Sequence, residues 1–265
     1  MIKRKLGINA EFNSEIDFMD ALDYIAAAGF ESTFTLECDS EKVAAFKKKA
    51  NSLGLYVEFL HAPFDKINEI WTSEETPAIY RKMIAAIDSA AENDIPTVII
   101  HISGGWNPPS VNDLGLRRFD ELVEHAKEKG ITVAFENLMV LGDVAYFTDR
   151  YRDCENVGFC FDSGHEHCNT KTVRWLDIFC ERTVAVHLHD NFSRGDERGG
   201  VIDLHRLPFD GTYDYVDMKR RLDKYSYKNS LMLEVFMHRS EEYMKMTPTE
   251  FMAIAYEKAK KISEL

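Results

Sequence analysis

Cysteine is sparse and odd in number: Cys38, Cys154, Cys160, Cys168 and Cys180, with no C-x-x-C pair among them. This excludes a disulfide framework and a thiolate zinc ribbon, and reads as reduced thiols in a cytoplasmic protein. No apolar run approaches the roughly 18 residues a membrane-spanning helix needs, so no membrane partner is expected. Met1 to Leu6 is basic, but Gly7-Ile8-Asn9-Ala10-Glu11 follows in place of an apolar stretch, so no secretory leader is expected either. Positive charge is in deficit: 32 Lys and Arg against 45 Asp and Glu give a formal net charge of -13. That disfavours a nonspecific grip on nucleic acid, which needs a basic face. Linkers, low-complexity tracts and strong repeats are also missing, so residues 1–265 read as one domain.

What the chain has is an alternation of short β-rich runs with helical patterns. Strands are predicted at Lys5–Asn9, Ser32–Glu37, Leu55–His61, Thr97–Ile102, Ile131–Glu136, Val157–Asp162, Thr183–His189 and Leu231–Val235. Helices are predicted between and after them at Ser14–Ala28, Ser40–Leu53, Glu75–Asn93, Val111–Lys129, Asp143–Tyr151, Thr172–Cys180, Tyr213–Tyr225 and Pro248–Ile262. Ser14 is the expected cap of the first, and Gly29, Gly54 and Gly130 are expected stops. Eight β-α units of about 30 residues each predict an α/β fold, a single closed (β/α)8 TIM barrel. A doubly wound open sheet fits less well, because no Gly-rich phosphate fingerprint follows the first strand.

The polar residues gather at one end of that barrel. Of nine histidines, His61, His101, His165, His167, His187, His189, His205 and His238 fall at or just after a predicted strand end, and only His125 lies within a helical pattern. Strand ends converge on the catalytic face of such barrels. Glu136, Asp162 and Glu234 each end an apolar strand with no Lys or Arg embedded beside them. A carboxylate carried to a buried position needs a cation, a proton or donors to offset desolvation. Imidazole with carboxylate suits a divalent metal such as Zn, Mn, Co or Fe better than Ca. The bland alternative is a set of ordinary hydrogen bonds under loops.

Those residues occur in short motifs: Leu60-His61-Ala62-Pro63, Ile100-His101, Phe135-Glu136-Asn137, Phe161-Asp162-Ser163-Gly164-His165, His187-Leu188-His189-Asp190-Asn191, Asp203-Leu204-His205-Arg206-Leu207-Pro208 and Leu233-Glu234-Val235. In this order they resemble the xylose-isomerase-like TIM barrels, which include sugar and sugar-phosphate isomerases and epimerases and the endonuclease IV-type apurinic-site nucleases. The resemblance spans nearly the whole chain. The epimerase branch implies one metal held by Glu136, Asp162, a seventh-strand histidine and Glu234. His187 and His189 are two apart and face the same side of a strand, so both remain candidates, with His187 favoured by its match to the nuclease branch. The nuclease branch implies up to three metals, drawing also on His61, His101, His165, Asp203 and His205.

The resemblance implies a divalent-metal-dependent isomerase or epimerase of a small sugar or sugar phosphate, with Glu136 and Glu234 as acid/base groups and metal ligands. His165 would contact a substrate hydroxyl or a second metal. Trp106, after Gly104-Gly105, and Phe12 are candidate pocket walls. The loop carrying Arg194, Arg198 and Arg206 reads either as a phosphate-binding lid or as a solvated segment, its charge countered by Asp190, Asp196, Glu197 and Asp203. Alternatives are a multi-zinc phosphodiesterase, a metal-dependent dehydratase or lyase of a polyhydroxylated ring (inosose or dehydroshikimate type), and a non-catalytic binding barrel. A homodimer is compatible with such barrels.

Overall fold

The β-rich runs become eight short parallel strands: β1 (Leu6–Asn9), β2 (Ser32–Thr35), β3 (Tyr56–His61), β4 (Thr97–Ile100), β5 (Thr132–Glu136), β6 (Val157–Asp162), β7 (Thr183–His187) and β8 (Leu231–Leu233). This is a computed structural model describing residues 2–170, 173–196 and 203–265. Thr172, Glu197 and Arg198 lie outside the described residues. The sheet runs β7-β6-β5-β4-β3-β2-β1-β8. Just past β7 the chain closes the ring: Leu188 bridges Leu233, its N–H donating to Met232 O at 2.8 Å, while Glu234 N–H donates to Leu188 O at 3.2 Å. Closure removes the exposed edges an open sheet would carry.

The helices are α1 (Phe18–Ala28), α2 (Ser40–Ser52), α3 (Glu69–Thr72), α4 (Ala78–Glu92), α5 (Asp113–Glu128), α6 (Leu141–Arg150), α7 (Ser163–Cys168), α8 (Trp175–Phe179), α9 (Tyr215–Lys224) and α10 (Pro248–Glu264). Their apolar stripes cover the outside of the barrel: Leu22 and Ile25 of α1, Val43 and Phe46 of α2, Phe119 and Leu122 of α5, and Phe251 and Met252 of α10 are all buried. Inside the barrel Phe34 and Phe59 pack with ring centroids 4.6 Å apart, and each meets the His187 ring, at 5.3 and 5.5 Å. A dry aromatic layer therefore underlies the polar end.

Several boundaries differ from expectation, each for a local reason. The β2 strand stops at Thr35 because the Glu37 carboxylate turns back to accept the N–H groups of Cys38 and Asp39. Ser14 does not cap α1; Asp17 does, accepting from Met19 N–H at 2.9 Å. Pro77 stands as the N-cap of α4 rather than within its first turn. The β7 strand ends at His187 because His189 N–H is taken by the Ser163 hydroxyl at 3.0 Å. The helix expected from Thr172 is found as α8. Two short helices had no counterpart in the pattern: α3, whose C-terminal carbonyls are collected by the Arg118 guanidinium, and α7.

Candidate metal centre

The polar residues at the strand ends converge, and Glu136 stands at their centre. Its Oε2 lies 3.1 Å from His101 Nε2 and 3.4 Å from His61 Nε2. Its Oε1 lies 3.2 Å from His165 Nδ1 and 3.4 Å from His187 Nδ1. From the other side, His187 Nδ1 is 3.4 Å from Glu234 Oε2 and 3.9 Å from Asp162 Oδ2. Glu136, Asp162, His187 and Glu234 each bring one ligand atom within 4.8 Å of the others, as do His61, Glu136 and His187. A third group, His165, His189, Asp203 and His205, meets the same criterion.

The geometry separates the two seventh-strand histidines. His187 sits with Glu136 and Glu234. His189, two residues on, donates through Nε2 to Asp162 Oδ2 at 3.0 Å and stacks on His205. The backbone fixes this packing: an added Cβ at Gly164 would come within 1.9 Å of His189 Cε1. Asn137 and Asp162 lock β5 to β6 reciprocally, Asn137 Nδ2 donating to Asp162 O at 2.9 Å and Asp162 N–H donating to Asn137 Oδ1 at 2.7 Å.

Three histidines are oriented by backbone carbonyls. His61 Nδ1 lies 2.9 Å from Ala62 O, His165 Nδ1 2.9 Å from Asn137 O, and His205 Nδ1 3.1 Å from Glu234 O. A carbonyl only accepts, so each Nδ1 carries the proton. The opposite Nε2 then points at Glu136 or Asp203, as a ligand nitrogen does. His187 Nδ1 and Nε2, His189 Nδ1 and Asp203 Oδ1 are buried without a hydrogen-bond partner. Such orphaned atoms are costly unless something occupies the space between them. Imidazole nitrogens and carboxylate oxygens aimed at one another fit a divalent transition metal, so these clusters could hold one or more.

The electrostatics agree. Burial works against charge on Glu136, but the imidazoles of His187 and His101 overcome it and hold the carboxyl well below its ordinary range. For Asp203, burial is likewise outweighed, by His205 and His165. Conversely, burial is overcome by Asp162 and Asp203 at His165, whose imidazole is held well above its usual value, and by Asp203 at His205, raised to about 9. Carboxylates and imidazoles here charge one another, which is how a cation site behaves when protons stand in for the ion.

Above the clusters opens a cavity of about 300 Å³. Its lining includes Phe64, Leu138 and Met139 together with Asn169, Asp203 and Arg239. Trp106, Arg194 and Arg206 do not line it. Arg194 stacks over the Trp106 ring at 4.1 Å, joining the loop after β4 to the loop after β7. Arg206 is held between the rings of Phe192 and Tyr243 and donates through Nε to Asp210 O at 3.2 Å. Phe12 is fully buried and stacks on Phe251 of α10. His167 turns aside to Thr212 Oγ1, His238 stays exposed, and His125 pairs with Asp88 at 2.8 Å. Arg239, Asn169 and Phe64 escaped the sequence reading because nothing periodic marks a loop residue that faces a cavity.

No helix of the described residues is long and apolar enough to cross a membrane, and no disulfide is formed. Inosose dehydratase from Glaesserella parasuis is 30% identical to this chain over 151 residues, covering 48% of the chain and 49% of that protein. An uncharacterized protein of Sinorhizobium fredii, y4fM, is 29% identical over 167 residues, covering 58% of the chain and 51% of that protein. The alignments thus span about half the length of these curated relatives. Among solved structures, 3-keto-D-glucoside 4-epimerase from E. coli superposes with a TM-score of 0.72 at 16% identity, covering 99% of this chain and 100% of that one. D-psicose 3-epimerase from Clostridium cellulolyticum H10 does so with a TM-score of 0.72 at 13% identity, covering 98% of both; at such identities the likeness is one of fold. The family described as xylose isomerase-like TIM barrel matches residues 19–254, and the chain belongs to that family.

Proposed function

We propose that this protein is a divalent-metal-dependent isomerase or epimerase of a small sugar or sugar phosphate, with Glu136 and Glu234 as its acid/base pair. The observation that carries this reading is the placement of those two carboxylates around His187, each 3.4 Å from its Nδ1, with both lining the cavity. Glu136, Asp162, His187 and Glu234 would hold the metal. When bound, the metal supplies Lewis acidity that stabilises negative charge developing on a substrate oxygen. One glutamate removes the proton from the carbon beside the carbonyl, leaving its electron pair in the enediolate. For epimerisation the opposite glutamate returns a proton to the other face of that carbon; for isomerisation the same glutamate returns it to the neighbouring carbon while the hydroxyl proton passes to the former carbonyl oxygen. In this reading His165 would contact a substrate hydroxyl through Nε2. Phe64, Leu138 and Met139 exclude water from the intermediate.

The inosose dehydratase relative favours a second reading on the same site, in which proton removal is followed by loss of a β-hydroxyl. The test is solvent exchange. Metal-loaded protein incubated in D2O with ketopentoses and ketohexoses incorporates deuterium beside the carbonyl, read by NMR, and Glu136→Gln and Glu234→Gln abolish it. Full exchange in either variant refutes the acid/base assignment. Dehydration of an inosose without exchange of the ketoses selects the second reading. Efficient nicking of an abasic-site duplex at low salt would overturn both in favour of a phosphodiesterase.

A further inference from the structure

The strand ends of β3 to β5 give the cavity its apolar lining, Phe64, Leu138 and Met139, beside polar groups such as His101 and Ser103, while those of β6 to β8 contribute polar groups. Two donors of this lining have no protein partner among the described residues. Asn169 turns its Oδ1 to the Cys168 thiol, leaving its buried Nδ2 without a partner. The Arg239 guanidinium has no ion pair or hydrogen bond among the described residues, although it stands beside a floor rich in carboxylates.

Arg239 is also held in place by its own segment. Met237 N–H donates to Phe12 O at 2.8 Å, Phe236 N–H to His205 O at 3.4 Å, and Arg239 N–H to Phe236 O at 3.1 Å. The guanidinium is thus delivered to the cavity by a turn pinned to both the loop after β1 and the loop bearing His205. Of the other loop arginines described, Arg194 is stacked on Trp106 and Arg206 is clamped by Tyr243. Among the described residues Arg239 is the one arginine lining the cavity.

We propose that Arg239 is the substrate-anion anchor: the sugar acted on here carries a phosphate or carboxylate, which Arg239 binds while the carbonyl end faces Glu136 and Glu234. A guanidinium presents a planar fork of donors matched to either anion. In a chain of net charge -13 such a substrate needs a local cation, and Arg239 supplies one in the lining of the cavity.

This inference rests on reading the cavity as a sugar site, and a binding measurement keeps the two apart. Calorimetry of metal-loaded protein would use ribose, ribose 5-phosphate and ribonate, with Arg239→Gln as the variant and metal content checked in both proteins. Wild type is expected to bind at least one of the two anions at least tenfold more tightly than ribose. In Arg239→Gln that advantage disappears while ribose affinity and metal content stay the same; the anion favoured by wild type identifies the group recognised. Equal binding of all three ligands, binding of none, or an advantage that survives in Arg239→Gln overturns the proposal. If the advantage holds but no substrate exchanges its proton in D2O, the acid/base reading falls and the anion anchor stands.

Discussion

The imidazoles of His189 and His205 lie face to face, centroids 3.9 Å apart and planes 16° from parallel. That stacking draws His189 away from the cluster around Glu136 and assigns the two seventh-strand histidines different work. His187→Asn is expected to reduce turnover to background and to remove metal from the Glu136, Asp162 and Glu234 cluster. At the Glu136, Asp162 and Glu234 cluster His189→Asn acts only through the orientation of Asp162, an effect of about 10–100-fold on metal affinity for residues that position ligands. Metal titrations of the two variants check this; equal loss in both contradicts it.

Glu11 gives a pH-dependent prediction at a residue just past β1. Its Oε1 accepts from the Thr35 hydroxyl and from Leu36 N–H at 2.9 Å, but Oε2 is buried without a partner. Burial outweighs these hydrogen bonds and raises the carboxyl to about 7. A raised folded value means that stability is fully present below the unfolded value, near 4.5, and is lost as pH rises through about 7. Glu11→Gln removes that loss. In metal-free protein the variant should match wild type near pH 4 and exceed it above pH 8 by up to roughly 3 kcal/mol, at about 1.4 kcal/mol per pKa unit. Urea unfolding across this range reads it, and parallel curves would refute it.

The helix bearing His165 is tethered by a buried ion pair. Glu166 of α7 meets Arg221 of α9 at 3.3 Å, both about 1% exposed, and also accepts from Tyr213 OH at 2.9 Å and Trp175 N–H at 2.9 Å. Arg221→Met leaves the buried Glu166 carboxylate only the half-exposed Arg174, at 3.8 Å, so it should cost up to about 3–5 kcal/mol in unfolding free energy. Adding Glu166→Gln to that background recovers part of the loss, because the carboxylate is then no longer charged.

Gly164 makes a steric prediction. The His189 ring cannot retreat from a new methyl without leaving Asp162 or His205. Gly164→Ala should therefore destabilise by roughly 1–3 kcal/mol, as overpacking does. Gly142, within α6, has nothing within 4 Å of a Cβ. Gly142→Ala is expected to stabilise by about 0.4–1 kcal/mol. Unfolding curves of the pair test whether packing, rather than helix propensity, sets the sign.

Much of this was legible in the sequence because it is written in periodicity. Apolar runs separated by amphipathic stretches placed the eight strands, and carboxylates ending those runs had to emerge at one face. His61, His101, Glu136, Asp162, His187 and Glu234 were brought together by strand register alone. Features set by side chains at element ends were harder to see. Asp162 ends β6 and also caps α7, accepting His165 N–H at 2.6 Å, so strand and helix abut with no loop between them. Asp-Ser-Gly-His carried that capping signal, masked by its reading as a metal motif. The expected roles of Trp106, Arg194 and Arg206 depended on loop geometry, where Arg side chains find aromatic rings as readily as ligands. Arg239 was overlooked for the same reason, since a short turn after β8 has no pattern.

The most direct test of the account is metal stoichiometry by elemental analysis of chelator-treated, reconstituted and desalted protein. The account predicts at least one equivalent of Zn, Mn, Co or Fe per chain, lost in Asp162→Ala and His187→Asn. Equivalents above one would assign metal also to the group of His165, His189, Asp203 and His205. Less than a tenth of an equivalent in wild type, or full retention in both variants, would contradict it.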